Sequence, residues 1–286
     1  MMSFKSSLLF FLLMSLCVNA QALERRYLAS MDDSSWKLTE NSPIACRIEH
    51  QIPLFGSAVF TQEAGRGMRL ELNTRHTFNR GINVELRSET SGWSTRETRA
   101  VLARFETSGR RNLFKIPTRV AQQTFYELRE GYQPGFLFYD DYPLMASLSN
   151  VRFGEVEAAF TRCVGQLYDF NFNDVRVSSI HFEPDNEFAS IKEEETAFTR
   201  MLDYLQVDKS ISEIVVSGHA DNTGLACYNE GLSERRAWYV YDLLIARGID
   251  SSLLRVDYFG ENKPARKGSN DKSHAANRRV TVELRR

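Results

Sequence analysis

The sequence predicts an α+β fold in two parts: a β-rich, sandwich or barrel-like amino-terminal domain followed by a β-α-β-α-β-β domain. Two observations carry this. Up to about residue 167 short runs alternate apolar and polar residues, the period of a half-buried strand. Beyond residue 170 strand-like runs interleave with segments whose apolar residues recur at helical spacing.

Residues 1–22 precede both parts. Lys5 supplies a positive start, Leu8 to Leu16 form an apolar run, and Ala20 or Ala22 ends a small-residue cleavage site. This reads as a secretory signal peptide, because a membrane-spanning helix needs roughly 20 apolar residues. Cys17 raises lipoprotein processing, but Leu16 before it is bulkier than that chemistry prefers. Export leaves Cys46, Cys163 and Cys227 in an oxidising compartment, where two of them should pair. Cys46 and Cys163 are the best candidates, since their bridge would close a long loop within one domain. Cys227 then reads as a small buried hydrophobe.

The amino-terminal domain is expected over 23–170. Met68 to Leu72, Ile82 to Leu86 and Val101 to Phe105 alternate as strands, with Gly65, Gly67, Gly81, Gly92 and Gly109 as turns. The aromatic run Phe125 to Tyr142 reads as core. Val151 to Cys163 fits either a strand pair or a short helix. Tyr168 to Asp174 reads as the link between domains.

The second domain is expected over 171–286. Val177 to Phe182 is a strand, and Ala189 to Gln206 is a helix with Ile191, Phe198, Met201, Leu202 and Leu205 on one stripe. Ile211 to Ser217 is a strand, and Leu225 to Arg247 is a helix closed by Gly248. Leu254 to Phe259 and Val280 to Leu284 complete the sheet.

The formal net charge of −1 and the lack of a long basic stretch exclude a nucleic-acid binder. Arg110-Arg111 and Arg285-Arg286 read as solvated surface. The chemistry concentrates instead in Gly218-His219-Ala220-Asp221-Asn222-Thr223-Gly224, Asn229, Leu232 to Ala237 and Asn277 to Val280. Asn229 and Arg236 lie seven apart, so on a helix they point almost the same way. Asp221 sits in the loop before that helix. Arg236 can grip a carboxylate through two parallel hydrogen bonds, and Asp221 can accept from an ammonium. Thr223 and backbone N–H groups at the helix start complete a shell that suits a zwitterion. The plainer reading is a structural Asp221–Arg236 ion pair. An enzyme would need His219 with Cys227 as base and nucleophile, or His219, Asp221 and His181 around a metal. Neither has a third group at a recognisable spacing, so no catalytic residue, metal or cofactor is assigned. His219 reads as a loop support through a hydrogen bond.

These residues resemble the OmpA-like domain, a peptidoglycan-binding module, over roughly Val175 to Arg286. The match comprises Gly-His-Ala-Asp with Gly224, Asn229, Leu-Ser-x-x-Arg-Ala, Gly260 with Pro264, and Asn-Arg-Arg-Val. The resemblance implies diaminopimelate as ligand, with Asp221 on its ammonium and Arg236 on its carboxylate. Asn229 and Thr223 would orient it, Arg278 would close the site, and Asp185 would contribute from the loop after the first strand. Cys227 departs from the commonest pattern. The whole chain, with its signal peptide, β-rich half and Cys46/Cys163, resembles the MotY family of flagellar-motor proteins. Tyr27-Leu28-Ala29, Trp36 and Ile52 to Gly56 fit that family's amino-terminal domain. This implies a periplasmic protein at the cell wall and flagellar basal body, able to form a ring, with a MotX-like partner and stator subunits as neighbours. A generic wall tether without a motor role is the competing reading.

Overall fold

In a computed structural model of the chain, residues 24–78, 81–90, 100–107, 111–189 and 195–286 are described. The segment 1–22 expected to be a signal peptide, Gly92, Gly109, Arg110 and Ile191 lie outside the described residues.

The first half holds strands β1 (Arg25–Tyr27), β2 (Trp36–Asn41), β3 (Ala45–Ile52), β4 (Gly56–Glu63), β5 (Arg69–Phe78), β6 (Asn83–Thr90), β7 (Ala100–Glu106) and β8 (Arg111–Ile116), helix α1 (Thr118–Arg129), strands β9 (Tyr132–Tyr139) and β10 (Leu144–Ser147), and helix α2 (Phe153–Val164). They form two five-stranded sheets, β1-β10-β9-β6-β7 and β2-β3-β4-β5-β8. All pairings are antiparallel except β1 with β10. Alternation places Ile48, Phe60, Leu70, Leu72, Leu86, Phe136 and Phe138 in one shared core. The β3–β4 turn requires glycine at Gly56, where a Cβ would stand 1.9 Å from the Asn73 carbonyl oxygen.

Two helices lie within this strand-like half. Helix α1 follows Pro117, which suits a helix start, and buries Ala121, Thr124 and Leu128 at helical spacing. Residues 153–164 resolve as a helix because Phe153, Phe160 and Cys163 fall on one face and reach the core together. Cys46 of β3 and Cys163 of α2 are joined in a disulfide across 117 residues, with their Cα atoms 6.0 Å apart. Closing such a loop restricts the unfolded chain by roughly 4 to 5 kcal/mol in the chain-entropy picture, an upper figure.

The second half holds α3 (Phe172–Val175), β11 (Val177–His181), α4 (Glu195–Val207), β12 (Glu213–Gly218), α5 (Ala226–Ala246), β13 (Leu254–Tyr258), α6 (Asp271–Asn277) and β14 (Arg279–Arg285). The sheet order is β11-β14-β12-β13, with β12 and β13 parallel. Ile180, Ile214, Val216, Val280, Val282 and Leu284 meet Phe198, Met201, Leu202 and Leu205 of α4 and Val240 and Leu244 of α5 in a second core. The sequence pattern did not anticipate α6, whose seven residues are too short to show a period. Asn270 caps it. The 168–174 segment is packed rather than a loose link: Tyr168 stacks on buried Phe170 at 4.7 Å and donates its N–H to Pro43. No described helix is long and apolar enough to cross a membrane.

Candidate functional site

Three chain segments converge at one end of the second sheet. Strand β11 ends at His181 and leads into the 182–186 loop; β12 ends at Gly218 and leads through Asp221 to α5; α6 delivers Arg278 to the start of β14. Cross-strand pairs His181–Arg279 and Gly218–Val280 set this convergence. Helix α5 can lie close over β12 because position 218 has no side chain: a Cβ there would meet the Ser233 carbonyl oxygen at 2.0 Å. Between the segments opens a cavity of about 740 Å³, lined by residues that include Asp185, Asp221, Thr223, Asn229, Arg236 and Arg278.

Asp221 is buried and pairs with Arg278, not with Arg236: Arg278 Nη1 donates to Asp221 Oδ2 at 2.9 Å. Its other oxygen accepts from the backbone N–H of Thr223 at 3.0 Å. Burial alone would push this carboxyl up; the bonds from Arg278 and Thr223 and the Arg278 charge outweigh it and hold the group below its usual range. Arg278 is itself held by the Phe182 carbonyl, 2.9 Å from its Nε.

Arg236 is fully buried. Nε donates to Asn186 O at 2.8 Å, Nη1 to His219 O at 3.3 Å and Nη2 to Glu183 O at 3.1 Å, with the guanidinium 5.0 Å from the Phe182 ring centroid. Burial pulls its pKa down to about 10 against the attraction of Asp221, with Arg278 adding to the lowering, so it stays charged at neutral pH. A guanidinium carries five N–H donors. Three are spent on the loops that shape the cavity.

Asn229 is buried and braced, its Nδ2 donating to Thr223 O at 3.2 Å and Glu261 Oε2 at 2.7 Å. Asp185 sits at the cavity rim with φ 54°, an uncommon conformation for a non-glycine residue, and accepts from the Tyr228 hydroxyl. All six residues singled out for ligand contact therefore line one cavity. Sequence reasoning missed Tyr228 and Glu261, which position Asp185 and Asn229, and the rim residues Asp271 and His274. Tyr228 was accessible through its place beside Asn229 in the first turn of α5; Glu261 carried no local signal.

Two expectations are corrected. Cys227 is exposed, not buried, because it lies in the first turn of α5 on the side away from the sheet. His219 does not support its loop through a ring hydrogen bond; its buried Nδ1 has no protein partner, and the ring stacks on Phe259 at 5.4 Å. The loop is held by main-chain groups, His219 N to Arg279 O and Arg236 Nη1 to His219 O. Among the described residues no three His, Cys, Asp or Glu side chains group as metal ligands would.

Comparison with known proteins divides the chain at the same place. Residues 27–168 match the MotY N-terminal domain and residues 182–278 match the OmpA family. The sodium-type flagellar protein MotY of Vibrio parahaemolyticus is 26% identical over 273 residues, 92% of this chain and 91% of that protein. A peptidoglycan-associated lipoprotein of Legionella pneumophila is 32% identical over 115 residues, 40% of this chain and 57% of that protein. The solved peptidoglycan-associated lipoprotein of Burkholderia pseudomallei overlaps 38% of this chain and 90% of its own, at 24% identity and a TM-score of 0.35. Asp185, Asp221, Thr223, Asn229, Arg236 and Arg278 all fall within the segment matched to the OmpA family. With a MotY N-terminal domain joined to an OmpA-family domain, the chain belongs to the MotY family.

Proposed function

We propose that this chain is a periplasmic structural component of the flagellar motor that binds peptidoglycan through the Asp221 cavity. The observation that carries the reading is the mixed charge of that cavity. Glu183, Asp185, Asp221 and Asp271 outnumber Arg236 and Arg278 along its lining. Excess negative charge disfavours a simple anion, while two fixed guanidiniums provide for a carboxylate. A zwitterion bearing an ammonium and a carboxylate on one carbon meets both demands, as the free end of diaminopimelate in a wall peptide does. Asp221 and Asp185 receive the ammonium, Arg236 and Arg278 the carboxylate, and Asn229 and Thr223 set its orientation.

The β-rich half carries the motor role. It docks to the basal body, in a ring with a MotX-like partner, and so helps assemble or anchor stator units while the second half holds the wall. Similarity to the Vibrio MotY over nearly the full chain supports this. A generic wall tether is the reading that similarity to the Legionella lipoprotein favours. Deletion of the gene, with swimming and basal-body composition as readouts, decides between them. Loss of swimming and co-purification of the protein with basal bodies support the motor role; intact swimming with a loosened envelope supports the tether.

A further inference from the structure

Strand β13 ends the second sheet with one side bonded to β12 and no described strand on the other. Just past the end of β13, Phe259 donates its N–H to Gly218 O of β12. Main-chain groups alternate sides along a ladder, so those of Val256 and Tyr258 point away from the sheet. The Leu254 N–H turns back to Ser251 O, while the Leu254 carbonyl points outward with its neighbours.

The side chains of this edge divide by face. Leu254, Val256 and Tyr258 are in register with Ile214, Val216 and Gly218 on the helix-covered face. Arg255 and Asp257 stand on the open face, 2.6 Å apart, Arg255 exposed and Asp257 half-buried, with Glu213 beside Arg255. Helix α5 extends the apolar side. Its Tyr239 leans on Phe182 toward β11, whereas Glu230 lies against Gly260 just past β13. At roughly 100° per residue, Tyr241 and Ile245 share the flank of Glu230 and Glu234, while Trp238 turns to the face opposite the buried one. Ile245 is 38% exposed and Tyr258 42%.

We propose that two copies of this chain pair through the free edge of β13, antiparallel about Val256, joining their second sheets into one. Val256 exchanges N–H to carbonyl bonds with the partner's Val256, and the Leu254 carbonyl accepts from the partner's Tyr258. Arg255 faces the partner's Asp257 and Asp257 the partner's Arg255, in the close, non-hydrogen-bonded pairs where side chains interact most. Charge selects this register. A slip by one residue sets Arg255 against an apolar neighbour, and a slip by two sets Asp257 against its own copy. An edge protected against association carries charges of one sign, which repel a second copy; alternating Arg255 and Asp257 attract one. The wall cavities lie at opposite ends of the seam, so pairing is independent of the wall reading, and its test needs no wall.

The experiment is sedimentation of the full mature chain over a concentration series, in a Cys227→Ser background to prevent cross-linking by the exposed thiol. The wild-type edge gives a concentration-dependent dimer. Asp257→Arg and Arg255→Glu each place like charges across the seam and weaken dimerisation on the order of tenfold, while an equimolar mixture of the two restores it as a heterodimer. Unchanged circular dichroism and urea midpoints show that the variants are folded. A chain that stays monomeric at its solubility limit overturns the proposal, as does a dimer indifferent to both substitutions or a mixture that does not recover.

Discussion

Arg278 reaches Asp221 across 57 residues of chain to place Nη1 2.9 Å from Oδ2, and this contact fastens the end of α6 to the loop before α5. The pair settles which cation answers Asp221, and it makes Asp221 an acceptor already oriented toward the cavity. Charge-assisted contacts of this kind are worth more than neutral ones because both partners are partly desolvated.

Its pH dependence has a definite sign. The folded carboxyl lies below its ordinary value of 3.8, so the ionised pair is complete above that value and is lost as pH falls through the lower folded one. Retention of the protein on purified sacculi should therefore be level from neutral to mildly acidic pH and fall only below about pH 4. A loss centred near pH 6 would point to a histidine instead.

Arg236 is a poor residue for a clean binding test. Its guanidinium satisfies the carbonyls of Glu183, Asn186 and His219 inside the domain. Arg236→Ala leaves these acceptors without donors, at about 1–3 kcal/mol for each group left buried. Arg236→Lys keeps the charge but not the fork. Both should lower the urea midpoint of the second domain, Ala more than Lys, and a midpoint unchanged in Arg236→Ala would show that the three contacts hold nothing in place.

His219 links stability to pH in the window just above that of Asp221. Burial first, then the charges of Arg279 and Lys263, bring its pKa down to about 4 from 6.5. The unfolded chain takes up a proton near 6.5 that the folded chain refuses until about 4, so stability falls as pH drops through that window. His50, lowered by burial, adds to the same slope. His219→Phe preserves the stack on Phe259 and removes the unpartnered Nδ1, so its stability should decline less between those pH values; equal slopes would refute the assignment.

Gly218→Ala tests how α5 is seated. The added methyl would lie 2.0 Å from the Ser233 carbonyl oxygen and 3.1 Å from Ala237 Cβ, both fixed parts of the helix. Overpacking of this kind costs about 1–3 kcal/mol or more. The expected result is a lower urea midpoint together with weaker wall retention, since moving α5 moves Asn229 and Arg236; full stability would mean that the helix shifts freely.

Much of the second domain was legible because its strands alternate and its helices are long enough to show a period. Asn229 and Arg236 could be brought together from spacing alone, since a helix fixes the phase of residues seven apart, and Asp221 from its place in the loop before that helix. The Asp221–Arg278 pairing could not, because α6 is short and its approach depends on β14 pairing with both β11 and β12. Arg236 looked like a free ligand group for a related reason: sequence shows a guanidinium but not the carbonyls that surround it. In the first half, α1 was hidden by an aromatic run that suits strands as well as helices. Pro117 ahead of Ala121, Thr124 and Leu128 was the signal that marked it.

Calorimetric titration shows whether the cavity reads a zwitterion through Asp221. The titrant is a wall tripeptide ending in diaminopimelate, compared with the same peptide acetylated on the free amine of its diaminopimelate. A zwitterion site gives one-site binding of the free peptide, loss of that binding on acetylation, and loss by about 2–5 kcal/mol in a folded Asp221→Ala variant. Equal binding of both peptides, or undiminished binding by Asp221→Ala, would contradict it.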